Sequence, residues 1–201
     1  MTRIALMRHF PTAWNQDHRF QGQTDIPLTD ESRAELRALV LPAPWNDVGI
    51  FTSPLARARE TAELLAGGRA ITLDPRLKEI AYGKWEGRRG ADLLADPSSG
   101  YMHVEDGGWH RQAPGGESHW QVWQRVQPAL AEIATDDAPA LLVVHRSLMR
   151  AIFAHAWNWG FDTPEPFKIK RARIYPMTLD RDGIPSQPEE PVVLVPRGAA
   201  P

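Results

Sequence analysis

The run Leu141-Leu142-Val143-Val144 carries no polar residue, and neither does Ile4-Ala5-Leu6-Met7 near the start of the chain. Short apolar runs bounded by polar residues read as strands buried in a sheet. Each of these two delivers a histidine at its carboxyl end: His145 follows Val144, and Arg8-His9 follow Met7. In open α/β sheets, ligands bind outside the carboxyl ends of the strands. The chain is thereby constrained twice, to a layered sheet and to a site along one of its edges.

Helical periods fill the space between the strands. Thr29 and Asp30 offer caps for a helix expected to run to about Val40 and to stop before Pro42. Val48–Thr52 reads as the next strand. Ser53 then stands as a cap with Pro54 at the first helical position. Leu55, Ala58, Ala62 and Leu65 follow at helical spacing until Gly67-Gly68 ends the helix. Ala70–Leu73 reads as a short strand. A helix is expected over Trp120–Ala134, kinked at Pro128, then the strand Ala140–Val144 and a helix over Ser147–Trp157. Arg173–Leu179 and Val192–Val195 read as late strands separated by the Asp182-Gly183 turn. Pro196 is expected to end the second of them, with a frayed tail over Arg197–Pro201.

Between Gly87 and His119 the composition shifts to Gly, Pro, Ser and His with weak periodicity. This stretch is expected to be a long insertion that caps a site. Strands alternating with helices predict one α/β domain over residues 1–201: a three-layer, doubly wound, mainly parallel sheet with helices on both faces. The late strands are expected to add an antiparallel edge.

The 201 residues suffice for one domain with a real core. A net charge of −2 argues against a nucleic-acid partner, which calls for a basic face. The chain contains no cysteine, which excludes disulfides and cysteine-based metal sites. No secretory signal pattern and no run of the ~20 apolar residues that span a bilayer is visible. The expectation is a soluble cytoplasmic protein with no membrane partner. Most of the eight tryptophans are expected to pack in the core.

Arginine beside histidine suggests phosphoryl chemistry. The imidazole is a nucleophile, and the guanidinium holds an anion in fork geometry. Strand alternation would point Arg8 and His9 to opposite faces, so they converge only where the chain leaves strand geometry. The dipeptide alone is weak evidence; the spaced residues after it carry the argument. They are Thr12, Asn15, Gln21-Gly22 and Asp25-Ile26-Pro27-Leu28-Thr29.

This stretch resembles the histidine phosphatase superfamily, which includes cofactor-dependent phosphoglycerate mutases. The family reads Arg-His-Gly-Glu-Thr-x-x-Asn and then Gln-Gly-x-x-Asp-x-Pro-Leu-Thr; here Phe10 and Pro11 replace the Gly-Glu pair. Further blocks follow in the family's order. Ser53-Pro54-Leu55-Ala56-Arg57-Ala58 carries its second arginine. Leu77-Lys78-Glu79 with Gly83-Lys84-Trp85-Glu86-Gly87 carries its proton donor. Gly115-Gly116-Glu117-Ser118 matches its turn before a helix, where Glu117 and Ser118 serve either as support or as cap. His145 matches its second histidine, followed here by Arg146-Ser147 instead of small residues.

The resemblance implies a catalytic set of His9, Arg8, Arg57, Glu79 and His145. His9 would be the nucleophile, Glu79 the acid in preference to Glu86, and Arg8, Arg57 and His145 the phosphate clamp. Thr12, Asn15, Gln21 and Gly22 are the expected further contacts to phosphate and the pocket entrance. Arg146 would either strengthen the anion pocket or point away and pair on the surface, the second being the leading expectation. Phe10 is expected to keep negative φ and to set its ring on the pocket wall; the alternative sends the ring into the core. His103, His110 and His119 have no compact ligand spacing, so no metal and no cofactor is expected.

The leading expectation is a metal-independent phosphomonoesterase acting on a small phosphorylated metabolite through a phosphohistidine. A phosphoglycerate mutase is the alternative; the family's mutases are generally longer, which favours the phosphatase. A catalytically decayed phospholigand-binding protein is the alternative of another class. Phe10, Pro11 and Arg146 speak for it, and the intact acid Glu79 speaks against it.

Overall fold

A computed structural model gives the fold, and the structure describes residues 1–198. The expected fraying of the tail at residues 199–201 lies outside the described residues. Eight strands appear: β1 (Thr2–Arg8), β2 (Leu39–Val40), β3 (Gly49–Thr52), β4 (Thr72–Leu73), β5 (Ala140–Val144), β6 (Arg173–Leu179), β7 (Val192–Val193) and β8 (Val195–Pro196). The α-helices are α1 (Ala13–Gln16), α2 (Asp30–Arg37), α3 (Ala56–Ala66), α4 (Gly90–Leu94), α5 (Val104–Gly107), α6 (His119–Thr135) and α7 (Arg146–Trp157).

The main sheet has the order β4-β3-β5-β1-β6-β7. Its first four strands are parallel; β6 pairs antiparallel with β1, and β7 antiparallel with β6. Strand alternation divides the core into two layers. Ile4, Leu6, Leu142 and Val144 face a cluster supplied by α6 and α7, including Val126, Leu130, Leu148 and Ile152. Ala5, Met7, Leu141 and Val143 face the other cluster, with Leu36 from α2 and Ala62, Leu65 and Ala66 from α3. This is the expected three-layer sheet with helices on both faces. Trp45 and Trp85 are buried as expected, whereas Trp120 is exposed.

Several local expectations are corrected. The helix expected from Ser53-Pro54 starts at Ala56, because Ser53 Oγ accepts from the N–H of Leu55 in a turn of its own. Asp25 Oδ1 accepts the first free helical N–H, Ala56, at 2.7 Å. The α2 helix stops at Arg37 instead of Val40, since Leu39 and Val40 are taken into a two-stranded sheet with β8. The expected strand Val192–Val195 divides for the same reason. Val192-Val193 stays on the main sheet, and Val195-Pro196 crosses to β2, so Pro196 does not end a strand but pairs with Leu39. The helix α6 includes Pro128, as the sequence places it.

The stretch between Gly87 and His119 is not a bare loop. It holds α4, α5 and tight turns around a small core of Trp85, Leu93 and Ala113. Arg111 lies over the rings of Trp85 and Tyr101, at 4.6 and 4.9 Å from their centroids. Phe10 has negative φ, but its ring is not on the pocket wall. It is 1 % exposed and packs in the second core layer with Leu28, Leu36 and Ala62. A ring with an apolar layer directly beside it gains more from that burial than from a polar cavity.

Candidate active site

Register brings the two histidines together. Arg8 is paired with Val144 in the parallel β1–β5 ladder, so the next residues, His9 and His145, leave the sheet side by side. The His9 N–H donates to the Val144 carbonyl at 2.9 Å, and the imidazole centroids are 5.2 Å apart. Strand β1 ends at Arg8, which frees His9 from alternation and lets the Arg8 and His9 side chains line one cavity of about 170 Å³.

Within this cavity, His9 Nδ1 lies 2.6 Å from the Phe10 carbonyl. Only a protonated Nδ1 bonds to a carbonyl, which leaves the lone pair on Nε2. Burial, then the charges of Arg57 and Arg8, hold the His9 pKa well below the usual histidine range. Burial and Arg57 do the same for His145. His145 is fully buried, does not line the cavity, and both its ring nitrogens lack a hydrogen-bond partner.

Arg57 sits in the first turn of α3, almost fully buried. Its Nη1 donates to the Thr24 carbonyl at 2.9 Å and its Nη2 to the Gly22 carbonyl at 2.6 Å, while Nε has no partner. Asp25 caps the same helix, so the Gln21–Asp25 loop is tied to α3 at three points. Gly22 adopts φ +54°, and a Cβ there would lie 2.8 Å from the Tyr82 nitrogen. Arg8 also lines the cavity, with Nε buried and unpaired. Burial and the neighbouring Arg171 and Arg146 press its pKa down to about 9, so it remains a cation at neutral pH.

Glu79 is 7 % exposed and lines the cavity. Its Oε1 accepts from the Ile80 and Leu148 N–H groups at 3.0 Å, and Oε2 from the Ser147 N–H at 3.1 Å. The free N–H groups of α7 thus fix the carboxylate, and α7 has no cap from His145 itself. Arg125 braces this loop from α6 by donating to the carbonyls of Arg76 and Lys78 at 2.6 and 3.0 Å. It also pairs with Glu117 at 2.9 Å. Glu117 in turn accepts the Ala81 N–H, and Ser118 caps α6 in a capping box with Gln121. The two roles weighed for Glu117 and Ser118 are therefore divided between them. Glu86, the rival acid, accepts from Gln23, Thr24 and Tyr82 and stays outside the cavity.

Asn15, Gln21 and Gly22 line the cavity as expected. Thr12 does not. It is fully buried, and its hydroxyl caps α1 in a capping box with Asn15. Arg146 pairs outward with Glu165 at 2.8 Å, as expected, yet it also lines the cavity. Sequence reasoning missed Arg19, Phe20, Tyr82 and Ser147, which complete the lining. The Tyr82 and Ser147 hydroxyls are 2.7 Å apart. Ser147 carried a signal, being the residue after the departure at Arg146.

Among the described residues, no group of three or more His, Asp or Glu side chains gathers as a metal ion requires. His119 is buried against the Phe161 ring, while His103 and His110 lie against Tyr101 and Trp120. A larger cleft of about 580 Å³ runs along β4 and α6. Its Arg76 is neutralised by Asp74 and Glu132, and it contains none of the matched blocks. No helix among the described residues is long and apolar enough to cross a membrane.

The histidine phosphatase superfamily (branch 1) pattern matches residues 4–187. A probable phosphoglycerate mutase GpmB of Enterobacter sp. is 36% identical over 155 residues, 72% of this chain and 70% of that protein. A mycobacterial glucosyl-3-phosphoglycerate phosphatase superposes with a TM-score of 0.74 at 27% identity, covering 89% of this chain and 93% of its own. A phosphoglycerate mutase from Thermus thermophilus superposes with a TM-score of 0.73 at 32% identity, covering 96% of this chain and 100% of its own. By the family match over residues 4–187 and these likenesses, this chain is an enzyme of the histidine phosphatase superfamily.

Proposed function

We propose that this protein is a metal-independent phosphomonoesterase that hydrolyses a small phosphorylated metabolite through a phosphohistidine at His9. The imidazole of His9 carries the reading: its Nδ1 is committed to the Phe10 carbonyl, so a neutral Nε2 is left with its lone pair in a residue that lines one cavity with Arg8 and Arg57. In the proposed first step Nε2 attacks phosphorus, the ester P–O bond breaks, and Glu79 gives its proton to the leaving oxygen. Three backbone N–H groups hold the Glu79 carboxylate, and Oε2 keeps a lone pair for that proton.

Arg8 and Arg57 supply the charge that the nonbridging oxygens need. His145 lies beside His9 but outside the cavity, its ring centroid 5.2 Å away and both its nitrogens buried without a partner, so we give it no direct contact to the phosphate. In the second step water attacks the phosphohistidine, Glu79 takes its proton, and the N–P bond breaks to release inorganic phosphate. We read the chain as one domain in which residues 87–119 act as a cap. Their Tyr101, His103 and Arg111 line an adjoining cavity of about 320 Å³ on the leaving-group side.

A mutase is the second reading, supported by the names of the relatives. The phosphoglycerate mutase from Thermus thermophilus matches this chain over its whole length, so length does not separate the two activities. The experiment is a screen of phosphomonoesters without added metal and with EDTA, following inorganic phosphate. The expected outcome is release by the parent protein and none by folded His9→Ala. Interconversion of phosphoglycerates without phosphate release would establish the mutase instead, and loss of activity in EDTA would remove the metal-independent mechanism.

A further inference from the structure

Two hydroxyls on the wall of the His9 cavity have more hydrogen-bonding capacity than the protein uses. Tyr82 and Ser147 both line it, together with His9 and Glu79. Their oxygens are 2.7 Å apart, and among the described residues neither oxygen has another hydrogen-bond partner. Each hydroxyl brings one proton and acceptor lone pairs. One O–H is used within the pair. The other O–H and the remaining lone pairs are left for whatever enters the cavity.

The surroundings fix this pair beside the carboxylate. The Tyr82 N–H donates to Glu86 Oε1 at 3.0 Å, and the Phe20 ring meets the Tyr82 ring edge-on, with centroids 4.7 Å apart. Ser147 lies in the first turn of α7, and its N–H donates to Glu79 Oε2 at 3.1 Å. Serine side chains often bond to nearby backbone; this one reaches across to the block that carries Glu79. Burial, and then the charge of Glu79, raise the Tyr82 pKa above the ordinary tyrosine value, so the phenol keeps its proton.

Tyr82 also lines the adjoining cavity on the leaving-group side. Attacking and leaving groups stand roughly in line at phosphorus. The water of the second step therefore takes the place that the leaving oxygen vacates, where Glu79, Tyr82 and Ser147 meet. Water has two O–H groups. One gives its proton to Glu79, and the other needs an acceptor while the oxygen faces phosphorus. An alcohol has a single O–H, and Glu79 takes it. A spare lone pair beside Glu79 thus distinguishes water from an alcohol.

We propose that the Tyr82–Ser147 pair seats the water that hydrolyses the phosphohistidine, and so favours water over an alcohol as phosphoryl acceptor. The proposal rests on the phosphohistidine reading of His9. In this step the water oxygen forms the new P–O bond. The N–P bond breaks with its electron pair returning to His9 Nε2, and one water proton passes to Glu79. The hydroxyl pair accepts a hydrogen bond from the other water O–H and exchanges no proton.

The test follows p-nitrophenyl phosphate turnover in the presence of glycerol, so that water and an alcohol compete for one phosphoenzyme. Inorganic phosphate, glycerol phosphate and p-nitrophenol are measured together for the parent protein, Ser147→Ala, Tyr82→Phe and the double variant. Each single variant should raise the ratio of glycerol phosphate to inorganic phosphate by about fivefold, the loss of one hydrogen bond to the water. The double variant should match the single ones, since the two hydroxyls act as a unit. Single-turnover release of p-nitrophenol should fall far less, because an activated leaving group needs little help. An unchanged ratio overturns the proposal. So does equal slowing of p-nitrophenol and phosphate release without a shift in the ratio, which would make the pair a support for Glu79 alone. An acid-labile phosphoprotein in the parent, absent from folded His9→Ala, tells these outcomes apart from failure of the phosphohistidine reading, in which no such species forms.

Discussion

Phe10 occupies the place of a family glycine next to His9, yet its ring is absorbed by the core and does not line the cavity. Phe10→Ala should therefore cost about 3–5 kcal/mol of stability, the range for truncating a buried aromatic residue. The order of preferred substrates should not change. Urea denaturation and rates on a small ester panel check both halves; a changed substrate order would return the ring to the pocket wall. Glu79 makes a different kind of residue-level claim. If it protonates the leaving oxygen, Glu79→Gln should slow an alkyl phosphate by about a hundredfold or more and an activated aryl phosphate far less. Equal losses on both would make Glu79 a positioning residue for α7.

The Gln21–Asp25 loop and α3 work as one unit, because Arg57 and Asp25 exchange bonds across it. Gly22 is its tightest point. An added Cβ would stand 1.9 Å from Glu86 Oε1 as well as close to the Tyr82 backbone, at a φ that L side chains rarely adopt. Gly22→Ala should shift the loop, remove the carbonyl that holds Arg57, and weaken inhibition by inorganic phosphate by about tenfold. A steady-state inhibition series measures it, and an unchanged constant would show that Arg57 holds its place without the loop. The element boundaries follow the same logic of distant partners. Helix α3 begins where Asp25 supplies a cap, and α2 ends where β8 claims the next residues.

At the scale of the whole molecule, the fold buries His9, His119 and His145 in neutral form. Burial is the main cause in each, with Arg57 next for the first and last and Arg150 and Arg111 next for His119. The unfolded chain takes up protons at these histidines below a pH of about 6.5, whereas the native state does not. Stability is thus complete above that pH and falls as pH drops below it. Each histidine contributes up to about 1.4 kcal/mol per pH unit to the slope. His119 stacks on Phe161 with both ring nitrogens unpaired. His119→Phe should flatten the slope by one histidine's share and leave stability at neutral pH little changed or raised. Denaturant unfolding across the acid range measures this, and an unchanged slope would mean that His119 is not buried neutral.

The strand and helix alternation and the layered fold could be read from residue order, and so could the meeting of Arg8, His9, Arg57 and Glu79 at one cavity. Periodicity and motif spacing are properties of neighbouring residues, so they need no knowledge of distant contacts. Other features required the folded chain. Thr12 turned inward to cap α1, Phe10 joined the core, and the last strand divided between two sheets. Arg19 and Phe20, outside the matched motif residues, were brought to the cavity by the folded chain. Which face a side chain meets, and whether its charge finds a partner, depends on register and closure between segments far apart in the chain. Local pattern does not encode those distances, and tertiary packing alone sets them.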